Sequence, residues 1–301
     1  MTPFISVVIP LYNKKKYIKT TIESVLNQTF LDYEIIIIND GSTDGSYNIV
    51  NNIADPKIRI YSNKNKGLSY SRNYGIKKAK ANYIAFLDAD DLWMEDFLET
   101  IYNLIIKNNN YSVFATKVKL LTPNQTPYLT STTFNINHKK VISNFFKLDK
   151  KGFNFSSLVI KKSVFKKVGY FDDTVNYGEE YDFYIRCFSI YNVIYYNDDK
   201  IYYRTGLPDQ LTASNKNFAR KIPDYEKYLN NNNIADLKNF LDFIHFELVV
   251  LFKMEKNYKL VDLYKKKINT SNLSLAKKLK YYLPTDLFYI IKRIYCWFSI
   301  R

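Results

Sequence analysis

The first hundred residues alternate short, unbroken apolar runs with stretches whose apolar positions recur every three or four residues. Residues 4–9 (FISVVI) and 34–38 (EIIII) are dense in Ile and Val, the pattern of strands buried on both faces. Between them, Tyr17, Ile18, Ile22, Val25 and Leu26 share one face of a helix. Residues 58–62 and 83–87 predict two further strands, with helices over 44–53 and 69–80. Strand and helix in strict alternation predict a parallel, doubly wound sheet. Farther along, 93–107 predicts a helix with Phe97, Ile101, Leu104 and Ile105 on one face, and 111–121, 156–160 and 193–203 predict strands. A Thr/Asn/Pro-rich connection fills 122–137, and a loop and helix fill 169–191. Strand signals then stop. Leu237, Phe240, Leu241, Ile244, Leu248, Leu251 and Phe252 mark a long helix with shorter helical segments after it. The pattern divides the chain into a domain over 1–214 and a helical region over 215–301.

Charge sharpens that division. Among 301 residues, 44 Lys and Arg face 29 Asp and Glu, a net charge of +15. Residues 1–100 carry 12 of each sign, 101–214 carry 15 basic against 9 acidic, and 215–301 carry 17 against 8. A neutral first third with a basic, aromatic tail does not suit a nucleic-acid binder, and no nucleic-acid module is present. A hydrophobic share of 47% excludes a disordered chain. Cys187 and Cys296, with His138 and His245, are too few for a disulfide framework or a Cys/His zinc site. The apolar start meets Pro10 at once, unlike a secretory signal. The expected location is cytoplasmic, or peripheral on the cytosolic face of a membrane.

Candidate chemistry gathers at the predicted strand ends, where open parallel sheets bind ligands. Leu87-Asp88-Ala89-Asp90-Asp91 closes the fourth strand, and alternation along an extended chain would put Asp88 and Asp90 on one side. With Mg²⁺ or Mn²⁺ between them, such carboxylates can hold a diphosphate and offset charge on a leaving phosphate. A helix cap by Asp90 or Asp91 is the plainer alternative. The second strand ends at Asp40, before Gly41-Ser42-Thr43-Asp44. A carboxylate there can accept from a nucleobase N–H, while Asp44 suits a helix cap. Pro10-Leu11-Tyr12-Asn13 could stack against the same base, and Arg72 could assist the metal with the diphosphate. Neither a dinucleotide Gly-x-Gly-x-x-Gly nor a P-loop is present.

The ordered segments VVIPLYN, SVLNQTF, IIIINDGSTDGS, GLSYSRNYGIKKAKANYIAFLDADD and GYFDDTVNYGEEYDFYIR resemble the inverting family 2 glycosyltransferases of the GT-A fold over roughly residues 4–205. The resemblance implies an α/β, mixed but mainly parallel sheet flanked by helices, with a C-terminal helical extension. It implies a nucleotide-sugar donor, with Asp40 on the uracil of a UDP-sugar, Asp88 near the ribose, Asp90 on the metal and Arg72 fixing the nucleotide. The family's base lies in a Glu-Asp pair leading into a helix. Here Glu179-Glu180 matches it, with Asp182 close by, and all three acids stand as candidates. Their clustering would raise at least one pKa, as a proton acceptor near neutral pH requires. A negatively charged helix N-terminus explains the same acids without chemistry. Many relatives carry a His just after Tyr-Arg; this chain has Tyr203-Arg204-Thr205-Gly206, so Arg204 could offset leaving-group charge instead.

Residues 276–301 place Leu283, Leu287, Ile290, Ile291, Ile294, Trp297 and Phe298 on one helical face, interrupted by Lys292 and Arg293. No uncharged run reaches the roughly 18–20 residues of a membrane span. A basic, aromatic helix suits an anionic leaflet. Docking on the catalytic domain or on a second copy of the chain fits the same pattern. The functional expectation is metal-dependent, inverting sugar transfer to a saccharide or lipid-linked acceptor in bacterial surface-polysaccharide assembly, on the cytosolic face of the inner membrane. The alternative is a non-catalytic, membrane-associated nucleotide-sugar- or glycan-binding protein, which would have no need of the acids at 179–182.

Overall fold

The computed structural model describes residues 2–130, 134–148, 152–207, 210, 213–214, 218–229 and 234–299. The chain forms two compact units, Met1–Gly206 and Leu207–Arg301, against the 214/215 division that hydropathy suggests. In the first unit, β1 (Ile5–Leu11), α1 (Ile18–Leu26), β2 (Tyr33–Asn39), α2 (Ser46–Asn51), β3 (Ile58–Ser62), α3 (Leu68–Lys78) and β4 (Tyr83–Phe86) follow the strand–helix alternation. β3, β2, β1 and β4 lie side by side in that order and are all parallel. Every residue of β1, β2 and β4 is buried, which is why these strands read as solid apolar runs.

The second half of the sheet is mixed. It is built by β5 (Leu92–Trp93), α4 (Phe97–Lys107), β6 (Val113–Leu121), β7 (Lys139–Ile142), β8 (Leu158–Lys161), α5 (Lys162–Val168), α6 (Glu179–Phe188) and β9 (Val193–Arg204). The order continues from β4 through β8, β6 and β9 to β5, with β7 also on β9. β8 runs antiparallel to β4 and β6, whereas β6 and β9 are parallel. The fold is thus α/β, with a large central sheet flanked by helices. β5 replaces the start of the helix that spacing predicts over 93–107. Leu92 and Trp93 pair with Tyr202 and Ile201 instead, and the Trp93 Nε1 donates to the Ser156 carbonyl at 2.8 Å. These long-range partners override the local helical spacing, so the helix begins at Phe97, with Asp96 at its N-cap position.

One close approach sets the height of α3 above the sheet. A Cβ built on Gly75 would stand 2.3 Å from Val8 Cγ1 of β1. The helix can lie that near only because residue 75 has no side chain.

The second unit contains α7 (Ile234–Glu255), α8 (Tyr258–Lys265), α9 (Leu275–Tyr282) and α10 (Thr285–Ser299). The single helical face expected over 276–301 is broken. Pro284 disfavours a helical residue before it, and Leu283 is extended, with φ −55° and ψ 131°. Lys253 of α7 donates its ammonium to the carbonyls of Lys280, Tyr281 and Leu283 at 2.7, 2.9 and 2.5 Å, closing the C-terminus of α9. Desolvation there lowers the Lys253 pKa to about 8. Among the described side chains of α10 only Phe288 is buried, while Leu287, Ile290, Ile291 and Ile294 are exposed. The side chains of Trp297 and Phe298 lie outside the described residues. Among those described, no helix is long and apolar enough to cross a membrane.

Gly75→Ala should destabilise the protein by about 1–3 kcal/mol through overpacking against Val8. Urea unfolding should show most of that loss recovered in Gly75→Ala/Val8→Ala, where room for the new methyl is restored.

Candidate functional site

The turns after β1 and β2 are zipped together by side-chain bonds to backbone. Asn13 adopts the left-handed conformation, with φ 51°, which Asn tolerates better than most residues. Its Oδ1 accepts from Thr43 N at 2.8 Å. Lys14 N donates to Ser46 Oγ at 2.9 Å, and Lys15 N to Asp44 Oδ2 at 2.8 Å. Asp44 also accepts from Ser46 N at 2.9 Å, so it organises the start of α2 as a cap would. Asp40 N donates to the Leu11 carbonyl at 2.8 Å, and its buried carboxylate accepts from Lys66 N at 2.9 Å and Gly67 N at 2.7 Å. Asp40 therefore ties the ends of β1 and β2 to the loop that opens α3. Pro10 lies buried within β1 opposite Ile38, whereas Tyr12 is exposed.

The end of β4 departs from extended geometry. Asp91 N donates to the Asp88 carbonyl at 3.0 Å, so Asp88 to Asp91 form a tight turn. Alternation along a strand does not relate Asp88 to Asp90, because the chain must reverse here for β5 to run antiparallel to β9. Neither Asp90 nor Asp91 caps α4. Thr21 of α1 pins the turn from one side, donating to the carbonyls of Ala89 and Asp91 at 3.1 and 2.9 Å. Ser156 pins it from the other, accepting from Asp88 N at 3.1 Å and donating to Asp91 Oδ2 at 2.6 Å. Asp91 Oδ1 accepts from Arg204 N at 3.1 Å. Burial, then the charges of Asp90 and Asp88, push the Asp91 carboxyl well above the usual range. Asp90 itself lies 2.9 Å from the Lys14 ammonium.

Arg72 is the centre of the arrangement. Its side chain has no exposed surface, and its guanidinium lies 4.8 Å from the ring centre of Phe155 and 5.5 Å from that of Phe171. Nη1 donates to Glu179 Oε1 at 3.1 Å, and Nη2 donates to Asp88 Oδ1 at 3.1 Å and Glu180 Oε1 at 3.0 Å. Burial opposes its charge, but Asp88, Glu180 and Glu179 outweigh that and hold it ionised. The expectation from the sequence set Arg72 on the nucleotide; the structure spends its terminal nitrogens on three carboxylates.

Those carboxylates occupy different settings. Glu179 is 7% exposed at its side chain, and burial raises its pKa while Arg72 lowers it. Glu180 keeps 35% of its side chain exposed; desolvation raises its pKa to about 7, with Arg72 pulling down and Glu179 and Asp88 pushing up. Both open α6, whose N-cap Gly178 is left-handed, with φ 79°. Asp182 is buried and bound by Arg186 Nε at 3.0 Å and Nη2 at 2.7 Å. Of the three acids, Glu180 is the one that meets both Arg72 and solvent. Arg204 lies apart from this group, with Nη2 donating to Thr20 Oγ1 at 3.3 Å and its guanidinium 5.3 Å from the Tyr17 ring centre.

Several contributors carry no sequence signal of their own. Lys14 opens the Lys14-Lys15-Lys16 run, which reads as ordinary surface charge. Ser156 lies in a single 3₁₀ turn, Phe155–Ser157, within the strand expected over 156–160. Phe155 and Phe171 read as core. The residues that could hold a divalent ion are Asp90 and Asp88. They are hard oxygen donors on one turn, and Asp90 already has the Lys14 ammonium 2.9 Å away. That donor set suits Mg²⁺ or Mn²⁺, which take one or two carboxylates and complete their shell with phosphate oxygens and water.

Comparison with known proteins places these residues in context. The family model described as glycosyl transferase family 2 matches residues 6–169. An uncharacterized glycosyltransferase of Rickettsia typhi is 28% identical over 227 residues, which cover 75% of this chain and 70% of that protein. An uncharacterized glycosyltransferase of Haemophilus influenzae is 42% identical over 110 residues, 36% of this chain and 44% of that protein. Among solved structures, S. aureus TarS 1–349 in complex with UDP-GlcNAc aligns with a TM-score of 0.64 at 15% identity, covering 89% of this chain and 82% of that one. At that identity the likeness is one of fold.

Arg72→Met should strand Glu179 as an uncompensated interior charge and cost about 3–5 kcal/mol in urea unfolding. Adding Glu179→Gln should return a substantial part of the loss, a coupling that a double-mutant cycle would read directly.

Proposed function

The chain belongs to glycosyl transferase family 2, and from that premise we propose that this glycosyltransferase moves a sugar from a UDP-sugar to a saccharide hydroxyl with inversion, using Glu180 as general base. The observation that carries the reading is the environment of Glu180. Its carboxylate is open to solvent on one side, and its pKa is raised to about 7 beside the Arg72 guanidinium. A proton acceptor tuned near neutral pH is what attack by a sugar hydroxyl requires. A protein that only binds nucleotide sugars or glycans has no use for it.

In this reading, the zipped turns after β1 and β2 form the nucleotide end of the site. Asp40 has a spare lone pair on each oxygen for a base N–H, and the exposed Tyr12 offers a ring, with Asn13 fixing the backbone beside it. Asp88 faces both the donor and Arg72, so it couples the nucleotide end to the base. Asp90 and Asp88 would hold Mg²⁺ or Mn²⁺, which supplies positive charge to the departing diphosphate. Glu180 accepts the acceptor hydroxyl's proton on the side opposite the leaving group. Glu179 holds Arg72 in place, and Asp182, committed to Arg186, holds the first turn of α6.

For the second unit we infer association with an anionic lipid surface, which would bring a lipid-linked acceptor within reach on the cytosolic face of a bacterial inner membrane during surface-glycan assembly. Leu275, Leu279, Tyr282, Ile290, Ile291 and Ile294 are exposed on α9 and α10. Lys280, Lys292 and Arg293 stand exposed among them. Apolar anchors framed by cations favour the headgroup region of an anionic leaflet.

Asp90→Ala should abolish transfer, read by release of UDP from candidate nucleotide sugars, and wild type should lose it to excess chelator. Undiminished turnover in either case would discard the metal assignment. Glu180→Gln should keep donor affinity and lower kcat by orders of magnitude; if Asp182→Asn does so instead, the base is misassigned. Since Glu180 works deprotonated, kcat/KM should rise with pH through an inflection near 7. Leu279→Glu/Ile290→Glu should weaken sedimentation with phosphatidylglycerol vesicles and leave neutral phosphatidylcholine vesicles unbound, as in wild type.

A further inference from the structure

We propose that Lys14 is a resident cation for the Asp90 carboxylate, which a divalent ion must displace and which then turns to the donor's diphosphate, making ion and nucleotide binding mutually dependent. The inference rests on the assignment of Asp90 to the metal. Its direct observation is the Lys14 Nζ to Asp90 Oδ2 distance of 2.9 Å.

The pair is more than a surface contact. The two side chains are 15% and 9% exposed, so water screens the attraction far less than it would an exposed pair. Asp90 also needs a counter-charge, because it shares one tight turn with Asp88 and Asp91, closed by the bond from Asp91 N to the Asp88 carbonyl. Arg72 balances Asp88, not Asp90. The backbone of Lys14 is held in place, because its N–H donates to Ser46 Oγ and the preceding Asn13 is locked to Thr43. What can move is the four-carbon stem, and a compact ammonium on a flexible stem is suited to changing partners.

The consequence follows from Coulomb's law. A divalent ion arriving alone meets a carboxylate whose charge is already answered, and it must push a like charge aside. An ion arriving with a diphosphate brings the acceptor that the displaced ammonium needs. Each ligand then favours the other by the same factor, since coupling between two sites is reciprocal. Lys15 and Lys16 do not share this geometry: both are exposed, and the Lys15 backbone is bound by Asp44.

Binding of Mn²⁺ alone to the full chain, measured by the electron paramagnetic resonance signal of the free ion with and without UDP, tests this. Lys14→Met should bind Mn²⁺ alone about tenfold more tightly than wild type and should lose most of the tightening that UDP brings. Lys14→Arg, which keeps the charge, should keep the weak nucleotide-free Mn²⁺ binding, and Lys16→Met, which removes a neighbouring charge, should behave as wild type. Equal or weaker nucleotide-free Mn²⁺ affinity in Lys14→Met would overturn the proposal, as would a Lys16→Met effect of the same size. Asp90→Asn separates the two assignments. If it leaves Mn²⁺ affinity intact in the Lys14→Met background, Asp90 is not the metal ligand; if it removes that affinity while Lys14→Met alone matches wild type, only the role of Lys14 falls.

Discussion

A guanidinium with no access to water, held among three carboxylates, is the interaction on which the first unit's chemistry depends. Arg72 could not be buried alone, because an uncompensated interior charge costs several kcal/mol. Glu179 could not be buried without it either. Their mutual need draws α3 and the start of α6 to the turn after β4, although 107 positions of sequence separate the two residues. Phe155 and Phe171 line the guanidinium and exclude the water that would otherwise weaken the pairing. Glu180 gains its intermediate pKa from the same source. Desolvation and two neighbouring acids push it up, and one fixed cation stops it from rising further.

Around that centre, the strand ends are joined mostly by hydrogen bonds from side chains to backbone, with the Lys14–Asp90 ion pair linking the turns after β1 and β4. Asp40, Asp44, Asn13, Thr21 and Ser156 each satisfy backbone or hydroxyl donors and acceptors on a different loop. Short polar side chains suit this task, since they lose little rotamer freedom and reach backbone groups that a turn leaves unpaired. The arrangement of the strand ends is thereby fixed, with tolerances set by many weak bonds of defined direction. Charge stabilisation works best from groups held in this way, which need not reorganise.

Much of this was legible beforehand. The parallel half of the sheet could be read because its strands are buried on both faces, which leaves runs such as Ile35 to Ile38 with no polar interruption. The acids at 40, 88, 90 and 179–182 could be singled out because carboxylates at strand ends and in the first turn of a helix stand against an apolar background. Elements fixed by distant partners could not be read. β5 is two residues long, and only its pairing with β9 shows that Leu92 and Trp93 are not helical. The reach of Arg72 was equally hidden, for its spacing along α3 says nothing of how deep the helix sits. Lys14 lay unnoticed in a run of three lysines, since sequence cannot distinguish the one whose stem points inward. In the tail, Pro284 announced a break that helical periodicity alone passes over.

The contact between Gly75 and Val8 has a meaning beyond packing. Gly75 follows Arg72 by three positions, so the two lie on neighbouring parts of one helical face. The nearness of α3 to the sheet, allowed by the bare glycine, is therefore also what sinks the guanidinium to the level of Glu179. Depth of a helix and the electrostatic setting of the Glu180 carboxylate are set by the same missing methyl group, and selection for one constrains the other.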